Sequence, residues 1–269
     1  MKKIVLIMLL MALGLQAQEA TTESPLAKKK GVLNKKGSIF AYWGYNRSAY
    51  TDSDIHFKGK GYDYTLRDTA ASDRQSPFSM VYLTSGTIPQ FNFKLGYFIS
   101  DRESISIGTD HMKYVVDRPQ TVIIDGTDHN GNIRNEDKQQ IDGFVSFEHT
   151  DGLNYVNVAY EYNLPLWVND SEEHALSLVF GPGVGVLFPR TNVTLEGYKS
   201  RNDKFKIAGF GVDGHAALSF DFFKYFFVRG ETKVGFIDMP WIDTTPDSSD
   251  SASQYFGFVE YTAMLGVRY

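Results

Sequence analysis

Four side chains able to handle protons or attack a carbonyl lie in one short stretch, FEHTDGLNYVNVAYE at 147–161: His149, Asp151, Asn157 and Glu161. A histidine titrates near neutral pH and a carboxylate can orient it, which is the pairing that general acid and base chemistry requires. A hydrolytic set would therefore use His149 with Asp151 or Glu161. The same residues also suit a purely structural polar network, or a ligand or ion site. Which applies depends on where the stretch sits.

Other candidates are weaker. The segment 125–132, DGTDHNGN, offers Asp125, Asp128, Asn130 and Asn132 as oxygen ligands, but without the spacing of an EF-hand loop, so a surface loop of turn formers is the expectation. GPGVGV at 181–186 lacks the Lys, the Ser or Thr and the helix of a phosphate loop. Pro182 there marks a bulge or a weakened hydrogen-bond position. The six histidines include no pair with metal-ligand spacing on one element, so neither a metal nor another cofactor is expected. With no cysteine, the chain has no thiol nucleophile, disulfide or lipid-attachment cysteine.

The elements that position these residues are strands. Counting back by twos from Tyr269 gives Val267, Leu265, Ala263, Tyr261, Val259, Gly257 and Tyr255, with Arg268, Thr262 and Glu260 between them. That is a period-two strand with one apolar and one polar face. Eight such segments are expected, at about 38–50, 88–99, 104–116, 153–166, 175–188, 206–220, 225–238 and 254–269, close to the length of a tilted membrane strand. Connections alternate between short (100–103, 167–174, 221–224) and long (51–87, 117–152, 189–205, 239–253).

The expected fold class is all-β: a closed antiparallel transmembrane β-barrel of about eight strands, with short periplasmic turns and long extracellular loops. Alternation alone also fits a soluble sandwich. The terminal aromatic, the loop asymmetry and the amino terminus favour the barrel. Lys2 and Lys3 precede an apolar run, Ile4 to Leu13, and the small residue Ala17, as in a secretory signal peptide at 1–17. A polar, lysine-bearing lead-in at 18–37 and a barrel at 38–269 follow. The net charge of −5 gives no reason to expect nucleic acid.

Eight strands leave an interior just wide enough for side chains to fill. A polar lumen network is expected from Lys94, Asp110, Glu161, Asp213, His215, Arg229, Glu231, Lys233, Glu260 and Arg268, with signs nearly balanced so that the ions pair. Gly181, Gly183 and Gly185 would leave room for long partners such as Arg229 or Lys233. His149, Asp151, Asn157 and Glu161 share the inward parity, since Val156, Val158, Tyr160, Tyr162 and Leu164 define the lipid face. His111 and Lys113 take the outward parity at the upper rim, where they would meet lipid headgroups, unless a β-bulge returns His111 to the lumen.

The aromatic-rich start IFAYWGYNRSAY at 39–50 and the terminal strand make the chain resemble small outer-membrane barrels of the OmpX and OmpW type. Separately, 147–161 resembles the lipid A deacylase barrels, in which a histidine, a serine two residues later, an asparagine and a glutamate form a catalytic set. Here Asp151 stands where that family has serine, which removes its acyl intermediate, and the spacing from His149 to Glu161 differs. The first resemblance implies an integral outer-membrane protein in contact with lipopolysaccharide, handled by the barrel assembly machinery through the strand ending at Tyr269. Three functions follow as expectations. The leading one is non-enzymatic, with large outer loops meeting an extracellular or envelope partner or serving an envelope structural role, and with Tyr62, Tyr64, Phe78 and Tyr82 able to form an outer cap. The others are a lipid A acyl hydrolase using His149 and a narrow small-solute channel.

Overall fold

The computed structural model describes residues 36–74, 90–195 and 204–269, without the side chains of Thr150 and Asp151. The expected signal peptide, most of the lead-in, and Phe78 and Tyr82 lie outside the described residues.

Every regular element among the described residues is a strand: β1 (Ile39–Tyr50), β2 (Ser53–Gly59), β3 (Tyr62–Thr69), β4 (Ala71–Ser72), β5 (Phe91–Phe98), β6 (Glu103–Val116), β7 (Thr121–Thr127), β8 (Ile133–Gln140), β9 (Val145–Val168), β10 (Ala175–Leu187), β11 (Asn192–Leu195), β12 (Gly209–Phe222), β13 (Phe226–Asp243) and β14 (Ser251–Arg268). Eight form an antiparallel ring in the order β1, β5, β6, β9, β10, β12, β13, β14. The ring closes through β1 on β14, in unbroken register from Phe40↔Arg268 to Tyr50↔Phe258. Closure leaves the ring without a free edge, as a strand structure in lipid requires.

The sidedness of these strands identifies their solvent. Phe93, Leu95, Val184, Val212, Leu218, Val228, Val234 and Leu265 point outward and are exposed, whereas Lys94, Asp110, Glu161, Lys233 and Glu260 point inward and are buried. A water-soluble sheet would bury the first set. A transmembrane barrel presents it to hydrocarbon.

Three ring strands outrun their expected bounds: β9 begins at Val145, β13 continues to Asp243, and β14 begins at Ser251. The reason is an inversion along each strand. Climbing β14, the inward residues pass from Arg268, Thr262 and Glu260 to Phe258, Phe256 and Ala252; on β6 they pass from Asp110 to Met112, Tyr114 and Val116. The period of two continues along β14 and β6, while on β13 the buried parity steps from Met239 to Ile242 at a register shift; above this level the inner face is mainly apolar. On β9 and β13 the expected segments, 153–166 and 225–238, omit this outer part, which holds Val145, Phe147, Met239 and Ile242.

Above the inversion the wall continues as a conventional β-structure. β2 pairs with the outer end of β14 (Ser251↔Lys58 to Gln254↔Ile55), and β3, β7 and β8 follow it in order. β2 and β3 alternate so that Ile55, Phe57, Tyr62, Tyr64 and Leu66 are buried. They join Tyr114, Phe147, Leu153, Phe256 and Ile242 in one core. The long connection at 51–87 and that at 117–152 thus supply folded strands, and Tyr62 and Tyr64 are core residues of a cap.

Two irregularities match sequence signals. Pro182 interrupts pairing between β10 and β9, which resumes in the same register on either side (Phe180↔Tyr162, Gly183↔Ala159), so it is a weakened ladder position without a bulge. Between β6 and β9 the register shifts from Met112↔Leu153 to Tyr114↔His149. The extra β9 residues include Gly152 at φ +109°, where a Cβ would lie 2.5 Å from the His111 ring. Only glycine permits that approach.

Candidate functional site

The lumen is built in layers. At the turn end Phe40, Tyr42, Phe98, Phe227 and Met264 form a small apolar cluster, an inward aromatic set that the sequence reading did not pick out. Arg229 and Arg268 lie over it, with guanidinium carbons 5.0 Å from the Tyr42 ring centre and 5.3 Å from that of Phe227. Stacking a cation on an aromatic face recovers part of the energy lost on leaving water. Arg268 also donates to Asp221 at 2.7 Å.

Above this cluster lies a polar middle layer; Lys94, Asp110, Glu161, Asp213, His215, Arg229, Glu231, Lys233 and Glu260, like Arg268 at the turn end, are buried. Lys233 donates to Asp110 and lies 3.4 Å from Glu260 and 3.8 Å from Glu231. Arg229 donates to Glu161 at 3.1 Å. Amides tie the strands together: Asn92 donates to Asp110 at 2.6 Å and to Glu260 at 3.0 Å, and Asn157 donates to Asp110 at 2.9 Å. Tyr155 donates to Asp213 at 2.9 Å. The β10 glycines face other neighbours than the expected Arg229 and Lys233: at Gly181 and Gly185 an added Cβ would meet the β9 backbone at Tyr160 and Val156. The space beside Gly183 is taken by Asp213 of the adjacent strand, whose Oδ2 would lie 2.3 Å from an added Cβ, and not by Arg229 or Lys233.

His149 and Glu161 do not meet. His149 lies in the cap, whereas Glu161 lies in the lumen beside Arg229, and at about 3.3 Å per strand residue they are tens of ångströms apart along β9. His149 is fully buried, with Nδ1 2.9 Å from Thr191 Oγ1 and Nε2 3.2 Å from Gln254 Nε2, against the rings of Phe147 and Tyr114. The Asp151 side chain lies outside the described atoms.

Burial pushes the His149 imidazole down to about 3 from its ordinary 6.5. In that interval the unfolded chain holds a proton here that the folded cap does not. Stability is therefore complete above about pH 6.5 and falls as pH drops toward 3, by at most about 1.4 kcal/mol per pH unit. Unfolding of the cap followed between pH 7 and 4 is expected to lose most of that slope in His149→Gln. An unchanged slope would assign it to other groups.

The outward pair is corrected. His111 keeps the outward parity, but it and Lys113 are only 6% and 9% exposed. Gly152 covers the His111 ring, which stacks on Phe91 with centres 5.2 Å apart, and Nδ1 is 2.8 Å from Asn154 Oδ1. Neither side chain presents an open cation to headgroups. The nearby bulge covers His111 without turning it into the lumen.

The loop at 125–132 is filled by the protein's own donors. Buried Asp128 accepts from the backbone of Asn130 and Asn132 and from Arg134, each at 2.9 Å. Burial raises the Asp128 carboxyl, but these donors outweigh it and hold the group below its ordinary range. The Arg134 guanidinium stands where a cation would be required.

No protein-family model and no curated protein matches this chain. Among solved structures it is similar to the outer membrane protein OprG from Pseudomonas aeruginosa at 9% identity, covering 89% of this chain and 99% of that one, TM-score 0.40. It is also similar to Ail of Yersinia pestis at 12% identity, covering 87% and 99%, TM-score 0.34. A third is Neisserial surface protein A at 8% identity, covering 84% and 98%, TM-score 0.35. The likeness is one of barrel architecture alone.

Proposed function

We propose that this chain is an integral protein of the outer membrane, exported by its amino-terminal signal and non-enzymatic, in which the barrel is an anchor and the outer cap is the working part. The observation that carries this reading is the division of the fold at the inversion level. Below it the interior is filled with aromatic rings and paired ions; above it β2, β3 and β7 join the outer ends of the ring strands in an apolar core that a plain anchor does not need. A cap stiffened in this way offers a fixed surface to a ligand, a partner protein or lipopolysaccharide. Assembly would use β14, whose outward Leu265 and Val267 lie just before Tyr269.

His149 offers no open imidazole, so acyl hydrolysis is not the reading adopted. The filled lumen argues likewise against solute passage, for which planar-bilayer conductance at background is the expected result.

The absence of cysteine makes orientation directly testable. Lys60→Cys places a thiol at the tip of the β2–β3 hairpin, and Lys224→Cys places one in the turn between β12 and β13. A membrane-impermeant maleimide applied to intact cells is expected to label the first and to reach the second only after the outer membrane is permeabilised. Labelling of Lys224→Cys alone would invert the orientation. Labelling of both only after permeabilisation would remove the surface role.

A further inference from the structure

Glu161 of β9, His215 of β12 and Glu231 of β13 bring an imidazole nitrogen and two carboxylate oxygens within 4.8 Å of one another, all buried. The strand between the first two makes this convergence possible. β10 carries Gly181 directly opposite His215, and Gly183 next on the same face, so no β10 side chain separates Glu161 from His215. We propose that these three residues form a lumenal site for a divalent transition-metal cation.

Three independent observations point to such a ligand. First, His215 Nε2 and Glu231 Oε2 are buried and have no hydrogen-bond partner. A buried acceptor left unpaired costs more than the hydrogen bond it forgoes. Second, the other ring nitrogen of His215, Nδ1, lies 3.2 Å from Asp213 Oδ1, and Asp213 is itself held by Tyr155. A carboxylate on Nδ1 fixes the proton there and turns the Nε2 lone pair toward the two glutamates, the outer-shell arrangement that orients metal-ligating histidines. Third, the middle layer is short of positive charge. Five carboxylates, Asp110, Glu161, Asp213, Glu231 and Glu260, face three basic side chains, Lys94, Arg229 and Lys233; Asp221 and Arg268 form a separate pair. A bound cation would add positive charge to a layer with more carboxylates than basic groups. One nitrogen and two oxygens suit Zn²⁺, with water in the remaining position, better than Mg²⁺ or Ca²⁺, which favour oxygen alone. Arg229 on Glu161 and Lys233 near Glu231 then act as outer partners of the ligating carboxylates.

The test uses the full chain refolded into detergent in the presence of EDTA or Zn²⁺, so that entry into a closed lumen is not limiting, with folding verified by heat-modifiable gel mobility. Elemental analysis after desalting is expected to find one zinc per chain, and Zn²⁺ is expected to raise the thermal midpoint. His215→Gln and Glu231→Gln are each expected to weaken zinc binding at least about tenfold, and Asp213→Asn, which acts through His215, by roughly tenfold. His56→Ala, at an exposed histidine in the cap, is expected to leave binding unchanged. Should a variant fail to fold, Co²⁺ in the unmodified protein provides a second readout, since a visible d–d band of a nitrogen and oxygen site is expected. Absence of both zinc and the cobalt band would overturn the proposal and leave water to complete the network. Zinc retained at full affinity in both His215→Gln and Glu231→Gln would also overturn it, by placing the ion outside the lumen.

Discussion

Replacing Lys233 by methionine is expected to destabilise the folded barrel by about 3–5 kcal/mol, the cost of breaking a buried ion pair from one side. Lys233 has no exposed surface, and its ammonium faces three carboxylates at once: Asp110 in direct contact, Glu260 at 3.4 Å and Glu231 at 3.8 Å. Methionine keeps the length of the side chain and removes only the charge. Asp110 retains its amide donors Asn92 and Asn157, which fall short of neutralising it. A second change, Asp110→Asn, is therefore expected to recover more than half of the loss when combined with Lys233→Met, because the remaining carboxylates then face one negative charge fewer. Urea unfolding in micelles containing EDTA, read by loss of heat-modifiable mobility, measures both variants without compensation by an added cation. A Lys233→Met barrel within about 0.5 kcal/mol of the parent, the range typical of surface substitutions, would mean that the lumen is watery enough to solvate its carboxylates singly.

The ring was legible in the sequence because one periodicity served two purposes. Within each strand, Leu265, Tyr261 and Val234 on one parity and Glu260, Lys233 and Arg229 on the other mark both the strand and its sidedness, the first set exposed and the second buried. The inversion was not legible. Tyr114, Phe147 and Phe256 continue the inward parity as apolar residues; the expected segments included Tyr114 and Phe256 without marking the change of face, and on β9 the segment began at 153 and missed Phe147. The aromatic cluster of Phe40, Tyr42, Phe98 and Phe227 was hidden for the same reason, being apolar on the parity assigned to charge. Convergence across strands is a third kind of information. Glu161, His215 and Glu231 each read as inward, but their meeting depends on the register of three strands and on Gly181 between them, and no spacing within one element encodes that. His111 keeps the outward parity but is covered by Gly152, two residues from its ladder partner Asn154, at a register shift with no propensity signal beyond the glycine.

Phe256→Ala is expected to separate the two halves of the molecule. The side chain is 1% exposed, stacks on Tyr114 with ring centres 4.8 Å apart and meets Tyr50 edge-on at 5.5 Å. Truncating a buried phenylalanine costs about 3–5 kcal/mol, since the cavity adds to the lost transfer energy. Phe256 belongs to the cap core, whereas Met264, lower on β14, packs in the separate cluster at the turn end. The loss should therefore fall on the cap, which opens as a local unit while the ring strands stay paired below it. Limited proteolysis of the variant in intact vesicles is expected to cut in β2, β3, β7 or β8 at least ten times faster than in the parent, with heat-modifiable mobility preserved. If Phe256→Ala instead abolishes mobility and proteolytic resistance together, cap and barrel fold as one cooperative unit. The division into an anchor and a separately stabilised recognition surface would then be wrong. Preserved mobility with a loosened cap would make this variant the reagent for identifying what the surface binds, because it alters the cap's core while leaving the membrane-embedded ring in place.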